Sequence, residues 1–128
     1  MKPTPFGDRV LIEHMLSCLS AIDEFTEGDP QRYLTSRLVR DAVLRNLQTL
    51  TESSQRLSEE IKARYPGVPW KKLAGFRNLL VHDYLGGIDD QAVLLVLENN
   101  LTALQLALYE MRSAVIQEGS VGSDGAIR

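Results

Sequence analysis

Four residues in the segment GFRNLLVHDYLGG have the types and spacing to do chemistry together: Arg77, Asn78, His82 and Tyr84. On an unbroken helix, at about 100° per residue, Tyr84 and Arg77 lie about 20° apart, and Asn78 and His82 lie about 40° apart on the adjoining sector. All four then share one face of roughly 160°. A cation, an amide, an imidazole and a phenol on one rigid face suit metal-independent cleavage of RNA. In that reaction a base takes the proton from a ribose 2′-OH, and a cation stabilises the charge that builds on the phosphorane-like transition state. His82 is the natural base and Arg77 the phosphate clamp. Asn78 can orient the imidazole or the phosphate, and Tyr84 can add a hydrogen bond or stack on a base. One imidazole serves poorly as both base and acid. A two-fold dimer that joins two copies of the face supplies a second His82 and doubles the positive charge. The same residues also have a plainer reading, in which Arg77 pairs with an acid, His82 caps a helix end and Tyr84 packs at a turn. The Arg-x4-His spacing alone does not separate the two.

Other chemistries find less support. The two histidines, His14 and His82, and the single Cys18 are too few for a zinc site, and no Glu-x-x-His pair of the bundle di-metal kind occurs. There is no Gly-rich phosphate loop and no elbow serine, so no metal and no cofactor are expected. Cys18 lies in an apolar helical stretch and reads as a small core filler. His14 reads as a helix-surface or partly buried residue. The net charge of −3 opposes a broad nucleic-acid surface, yet the basic residues are ten Arg and four Lys, a bias toward the side chain that clamps phosphate in bidentate fashion. Arg37, Arg40 and Arg45 fall on one helix, either as a weak RNA-binding patch or as an ordinary solvated face.

These residues must be carried by helices. Apolar positions recur after Asp8, a candidate N-cap, at Leu11, Met15, Cys18, Ile22 and Phe25, which predicts a first helix over about 8–27 with Gly28 at its exit. Asp29-Pro30 opens a second, whose inner face of Val39, Val43, Leu47, Leu50, Ser54, Leu57 and Ile61 runs to about residue 64, before Tyr65-Pro66-Gly67-Val68-Pro69 breaks it. Pro69 opens a third, with Trp70, Leu73, Phe76, Leu80 and Val81 as anchors, ending at Gly86-Gly87. Asp89 caps a fourth, with Leu94, Leu97, Leu101, Leu104, Leu108, Met111 and Val115 at heptad spacing. Val93, Val96 and Leu106 widen that surface, which predicts burial on two sides.

No useful stretch alternates with period two, so the expectation is an all-α antiparallel bundle of four to five helices, one domain over 1–118 and a polar tail over 119–128 without apolar periodicity. Apolar residues are 44% and charged residues 24%, ordinary globular usage. No run of about 18 apolar residues appears, and the opening MKPTPFGDR lacks a signal-peptide layout, so a cytoplasmic location with no membrane contact is expected.

The octet Arg77-Asn78-Leu79-Leu80-Val81-His82-Asp83-Tyr84 resembles the Rx4HxY motif of HepT, a HEPN-type toxin family. Asp41-Ala42-Val43-Leu44-Arg45-Asn46-Leu47, Tyr65-Pro66 with Pro69-Trp70, and Gly75-Phe76 are also similar to the family, and the likeness covers roughly residues 8–112. It implies a HEPN-like homodimer, or a higher even oligomer, with a composite ribonuclease site. It also implies a type VII toxin–antitoxin pair with an MntA-like minimal nucleotidyltransferase antitoxin. Carried onto this chain, Arg77 and His82 are the ribonuclease residues, Asn78 the polar residue after the Arg, and Tyr84 the tyrosine that the antitoxin blocks by AMPylation. The alternative is a non-catalytic helical module that binds RNA or protein and partners a nucleotidyltransferase. Two departures stand out: Leu85-Gly86-Gly87 inserts a residue after Tyr84, and Thr51 stands where the family often has Gly.

Overall fold

The computed structural model describes residues 5–82 and 87–127, with side chains over 7–82 and 87–117. Tyr84 and the Leu85-Gly86 part of the insertion lie outside the described residues. Seven helices occur among those described: α1 (Pro5–Thr26), α2 (Arg32–Thr35), α3 (Arg37–Arg56), α4 (Glu59–Ala63), α5 (Trp70–His82), α6 (Asp90–Asn99) and α7 (Leu101–Ile127). There is no strand among the described residues, and the all-α expectation holds.

The four expected helices are present, but two are broken. The second divides into α2, α3 and α4 because Ser36 takes extended backbone angles (φ −135°, ψ 119°) and its hydroxyl accepts from the Val39 N–H, starting a new helix. Ser58 does the same for α4, accepting from the Ile61 N–H with Glu59 and Glu60 in the first turn. The fourth bends by 47° between α6 and α7 at Asn100. Its apolar seam nevertheless continues across the bend, from buried Leu94 and Leu97 to Leu104, Leu108, Met111 and Val115. Val93 and Val96 are buried as expected, whereas Leu106 is exposed. Among the described residues no single helix is long and apolar enough to cross a membrane.

Asp8 corrects the first cap. It lies inside α1, buried, and its carboxylate accepts from the Ser58 N–H at 2.9 Å and the Ser58 Oγ–H at 2.7 Å. The first turn of α1 is thereby fastened to the cap of α4. At the other end of α1, Phe25 is exposed and Thr26 is buried. Thr26 lies four residues after Ile22, so it follows the buried stripe more closely than Phe25 does. Asp89 behaves as expected, with Oδ1 accepting from the Gln91 and Ala92 N–H groups at the start of α6.

The helices pack in the spatial order α7, α1, α3, α5, so that α3 lies between α1 and α5. Ile12 and Met15 of α1, Leu47 and Leu50 of α3, Leu73 of α5, and Leu104, Leu108 and Met111 of α7 are almost wholly buried. Each such side chain contributes about 1.5–3 kcal/mol when removed from water. Cys18 is buried among them, and burial pushes its thiol pKa up, as suits a core filler. His14 is exposed on α1. Thr51 is buried, and its hydroxyl donates to the Leu47 and Gln48 carbonyls at 2.8 and 3.1 Å, so it needs no partner from another helix.

A polar tie joins α2, α3 and α6. The fully buried Tyr33 donates its O–H to Asp90 Oδ1 at 2.8 Å, and Arg40 donates Nε–H and Nη2–H to the same oxygen at 3.3 and 3.1 Å. Burial first, and the hydrogen bond to the Asp90 carboxylate second, hold the Tyr33 phenol well above its ordinary pKa. The folded chain therefore keeps this proton when the unfolded chain has begun to release it. Stability from this source is complete below about pH 10 and is lost as pH rises beyond it. In urea melts the wild-type midpoint should fall above about pH 10, and Tyr33→Phe should flatten that fall while costing about 1–2 kcal/mol at neutral pH.

Gly75 sits within α5, where an added Cβ would meet nothing within 4 Å. Gly75→Ala should therefore raise stability by about 0.5–1 kcal/mol in the same melts.

Candidate active site

Helix α5 is an edge element, fastened to α3 by Leu73, Phe76 and Leu80, all buried. Those three residues occupy one side of the helix and force the other outward. Taking Arg77 as the origin, at about 100° per residue, Leu73 lies near −40°, Leu80 near −60° and Phe76 near −100°, while Val81 lies near 40°, Asn78 near 100° and His82 near 140°. Arg77 stands at the border, with its side chain 31% exposed, and Asn78 and His82 are exposed. Val81, expected as a second core anchor beside Leu80, is instead 37% exposed. The reason is angular, since it falls between Arg77 and Asn78 on the polar face.

The guanidinium of Arg77 is held loosely. Its Nη2 lies 3.8 Å from Glu52 Oε1 on α3, and its Nη1 donates to Asn78 Oδ1 at 3.4 Å. Its Nε–H is buried without an acceptor. Glu52 in turn accepts from Gln48 Nε2 at 3.3 Å. A partly exposed ion pair at this separation is worth about 0–1 kcal/mol, so an anion with well-placed oxygens can compete for it. Asn78 thus meets the arginine through its Oδ1. His82 is the last residue of α5, about 7.5 Å along the axis from Arg77. One part of the plainer reading is thus present, an acid beside Arg77, but it does not exhaust the donors available. Tyr84 lies outside the described residues.

The three arginines of α3 do not form one patch. Arg40 is committed to Asp90 and lies 5.8 Å from the Tyr33 ring centroid, which makes it a structural tie. Arg37 is 93% exposed and lies 3.8 Å from Asp41. Arg45 alone adjoins the site, lining a cleft of about 220 Å³ with Asp41, Leu44, Gln48, Leu80 and Ile88. Because Glu52 faces Arg77 while Leu44 and Gln48 face Leu80, α3 and α5 run antiparallel here, and Arg45 lies toward the His82 end. Glu52 and Gln48 carry no motif and become visible only through this pairing. Among the described residues no group of three or more His, Cys, Asp or Glu side chains is placed to hold a metal ion.

Comparison with known proteins places the chain in a family. Residues 15–111 match the family model described as Ribonuclease HepT-like. The chain is 30% identical over 79 residues to a protein of Methanocaldococcus jannaschii named "Putative RNase MJ1380", covering 61% of this chain and 72% of that one. It is 26% identical over 102 residues to "Probable ribonuclease HepT" of Thermococcus cleftensis, covering 79% of this chain and 92% of that one. No solved structure gives a significant match. With about three quarters of its length spanned by one family model that includes Arg77, Asn78 and His82, the chain belongs to the HepT-like ribonuclease family.

Proposed function

We propose that this protein is the toxin of a type VII toxin–antitoxin pair, a metal-independent endoribonuclease whose site is completed by a second copy of the chain. The observation that carries the reading is the under-satisfied Arg77 guanidinium on one outward face with Asn78 and His82. A phosphate oxygen supplies the acceptors that Glu52 and Asn78 do not. His82 removes the proton of the ribose 2′-OH, the 2′-oxygen attacks the adjacent phosphorus, and Arg77 stabilises the added charge. The 5′-oxygen leaves with a proton from the partner copy's imidazole, giving a cyclic phosphate and a free 5′-OH. The exposed apolar residues Val81 and Leu38, the latter 81% exposed, suit contact with that second copy. The protein acts in the cytoplasm.

Regulation on this reading falls on Tyr84. A minimal nucleotidyltransferase antitoxin transfers AMP from ATP to the phenol and releases pyrophosphate. The adduct sets bulk and negative charge beside the face that must receive RNA, and inhibition follows from sterics and repulsion.

His82→Ala should lower RNA cleavage by about 10²–10⁴-fold while leaving the melting curve unchanged, because the side chain is exposed. Cleavage undiminished would remove His82 as the base, and wild-type protein that shifts RNA but leaves it intact would replace the enzyme with a binding module. For regulation, co-expression with an MntA-like minimal nucleotidyltransferase should add one or more AMP units by intact mass. Retention of the adduct in Tyr84→Phe would refute the site.

A further inference from the structure

The exposed side of α5 does not end at the candidate site. Lys71, Gly75, Asn78 and His82 follow at intervals of four, three and four residues, all exposed. At about 100° per residue Asn78 and His82 lie within about 20° of Lys71, and the three span about 16 Å along the axis. Gly75 stands between them as a low point, with open space above it.

At the N-terminal end of this stripe, α4 and the start of α5 enclose a cleft of about 670 Å³. Val68, Pro69 and Trp70 give it apolar walls, with the Trp70 ring fixed by an Nε1–H bond to the Tyr65 carbonyl at 3.0 Å. Lys62, Lys71 and Lys72 line it as well. Lys62 is paired with Glu59 at 3.1 Å, whereas neither Lys71 nor Lys72 has an ion pair among the described residues. In a chain of net charge −3, two adjacent unpaired ammonium groups beside an apolar-walled cleft mark a local site for a ligand that is anionic on one side and flat and apolar on the other. A nucleotide has that character.

We infer that the substrate is an extended single strand that runs along α5, with the scissile phosphate at Arg77 and His82 and a flanking nucleotide seated in the Trp70 cleft, its phosphate on Lys71 and Lys72. The inference rests on the ribonuclease reading for the identity of the strand. Gly75 lets the strand pass close to the helix, and the cleft selects unpaired RNA, because a stacked and paired base cannot enter it.

The test uses wild-type protein and 2′-O-methyl RNA, which cannot be cleaved, so that binding is read independently of catalysis. One oligonucleotide is long enough to reach from His82 to Lys71, and a shorter one is not. Lys71→Gln with Lys72→Gln should weaken binding of the longer oligonucleotide by about tenfold and lower the slope of log Kd against log salt by roughly 1–2, while the shorter one is bound as by wild type. Gly75→Gln, which puts a side chain into the path, should weaken the longer RNA too, and Gly75→Ala should not. Equal affinity and equal salt slope for wild type and the double variant would overturn the inference, as would binding of duplex RNA with the same lysine dependence. Failure of the ribonuclease reading shows separately, as wild-type protein that leaves unmodified RNA intact.

Discussion

The packing of α5 on α3 is the constraint on which the site depends. Three apolar side chains, Leu73, Phe76 and Leu80, must reach α3 from a 13-residue edge helix. Burying them is worth several kcal/mol, against about 0–1 kcal/mol for the Arg77–Glu52 pair, so the apolar contacts set the rotation of α5 and the polar residues take the directions left to them. Arg77 is left at the border and Asn78 and His82 in solvent. A rotation of one residue position would bury one of the chemical groups and expose a core anchor.

Much of this was legible from residue types. The buried stripes of the first and fourth helices, the Asp89 cap, the Cys18 core position and the opening of α5 after Pro69 all follow from spacing and cap chemistry. Val81 shows the limit of such a reading, since counting apolar residues places it with Leu80 and only the rotation of α5 separates them. The breaks at Ser36 and Ser58 had a local signal, a cap residue followed, in the second case, by two acids. An unbroken apolar periodicity hid the second, because the inner face continues from Ser54 and Leu57 to Ile61 across it.

What spacing could not convey was pairing between distant elements. Glu52 and Gln48 are ordinary helix-surface residues until α5 is laid beside them. Arg37, Arg40 and Arg45 look equivalent in one helix, yet the position of Asp90 turns Arg40 into a brace and leaves Arg45 beside the cleft. The likeness to the HepT family singled out the candidate residues, and the fold gives Arg77, Asn78 and His82 different environments.

The bond between Asp8 and Ser58 has a bearing on how the molecule comes together. It links residues 50 apart in sequence, and the helix it caps, α4, has five residues, too few to stand alone in water. The order of α4 is therefore a product of tertiary closure, which must first meet the entropy of joining a long loop. One wall of the lysine cleft consequently comes into being only after the N-terminal helix has docked. A chain emerging from the ribosome can carry a complete α5 sequence and still lack the α4 wall of the cleft beside it.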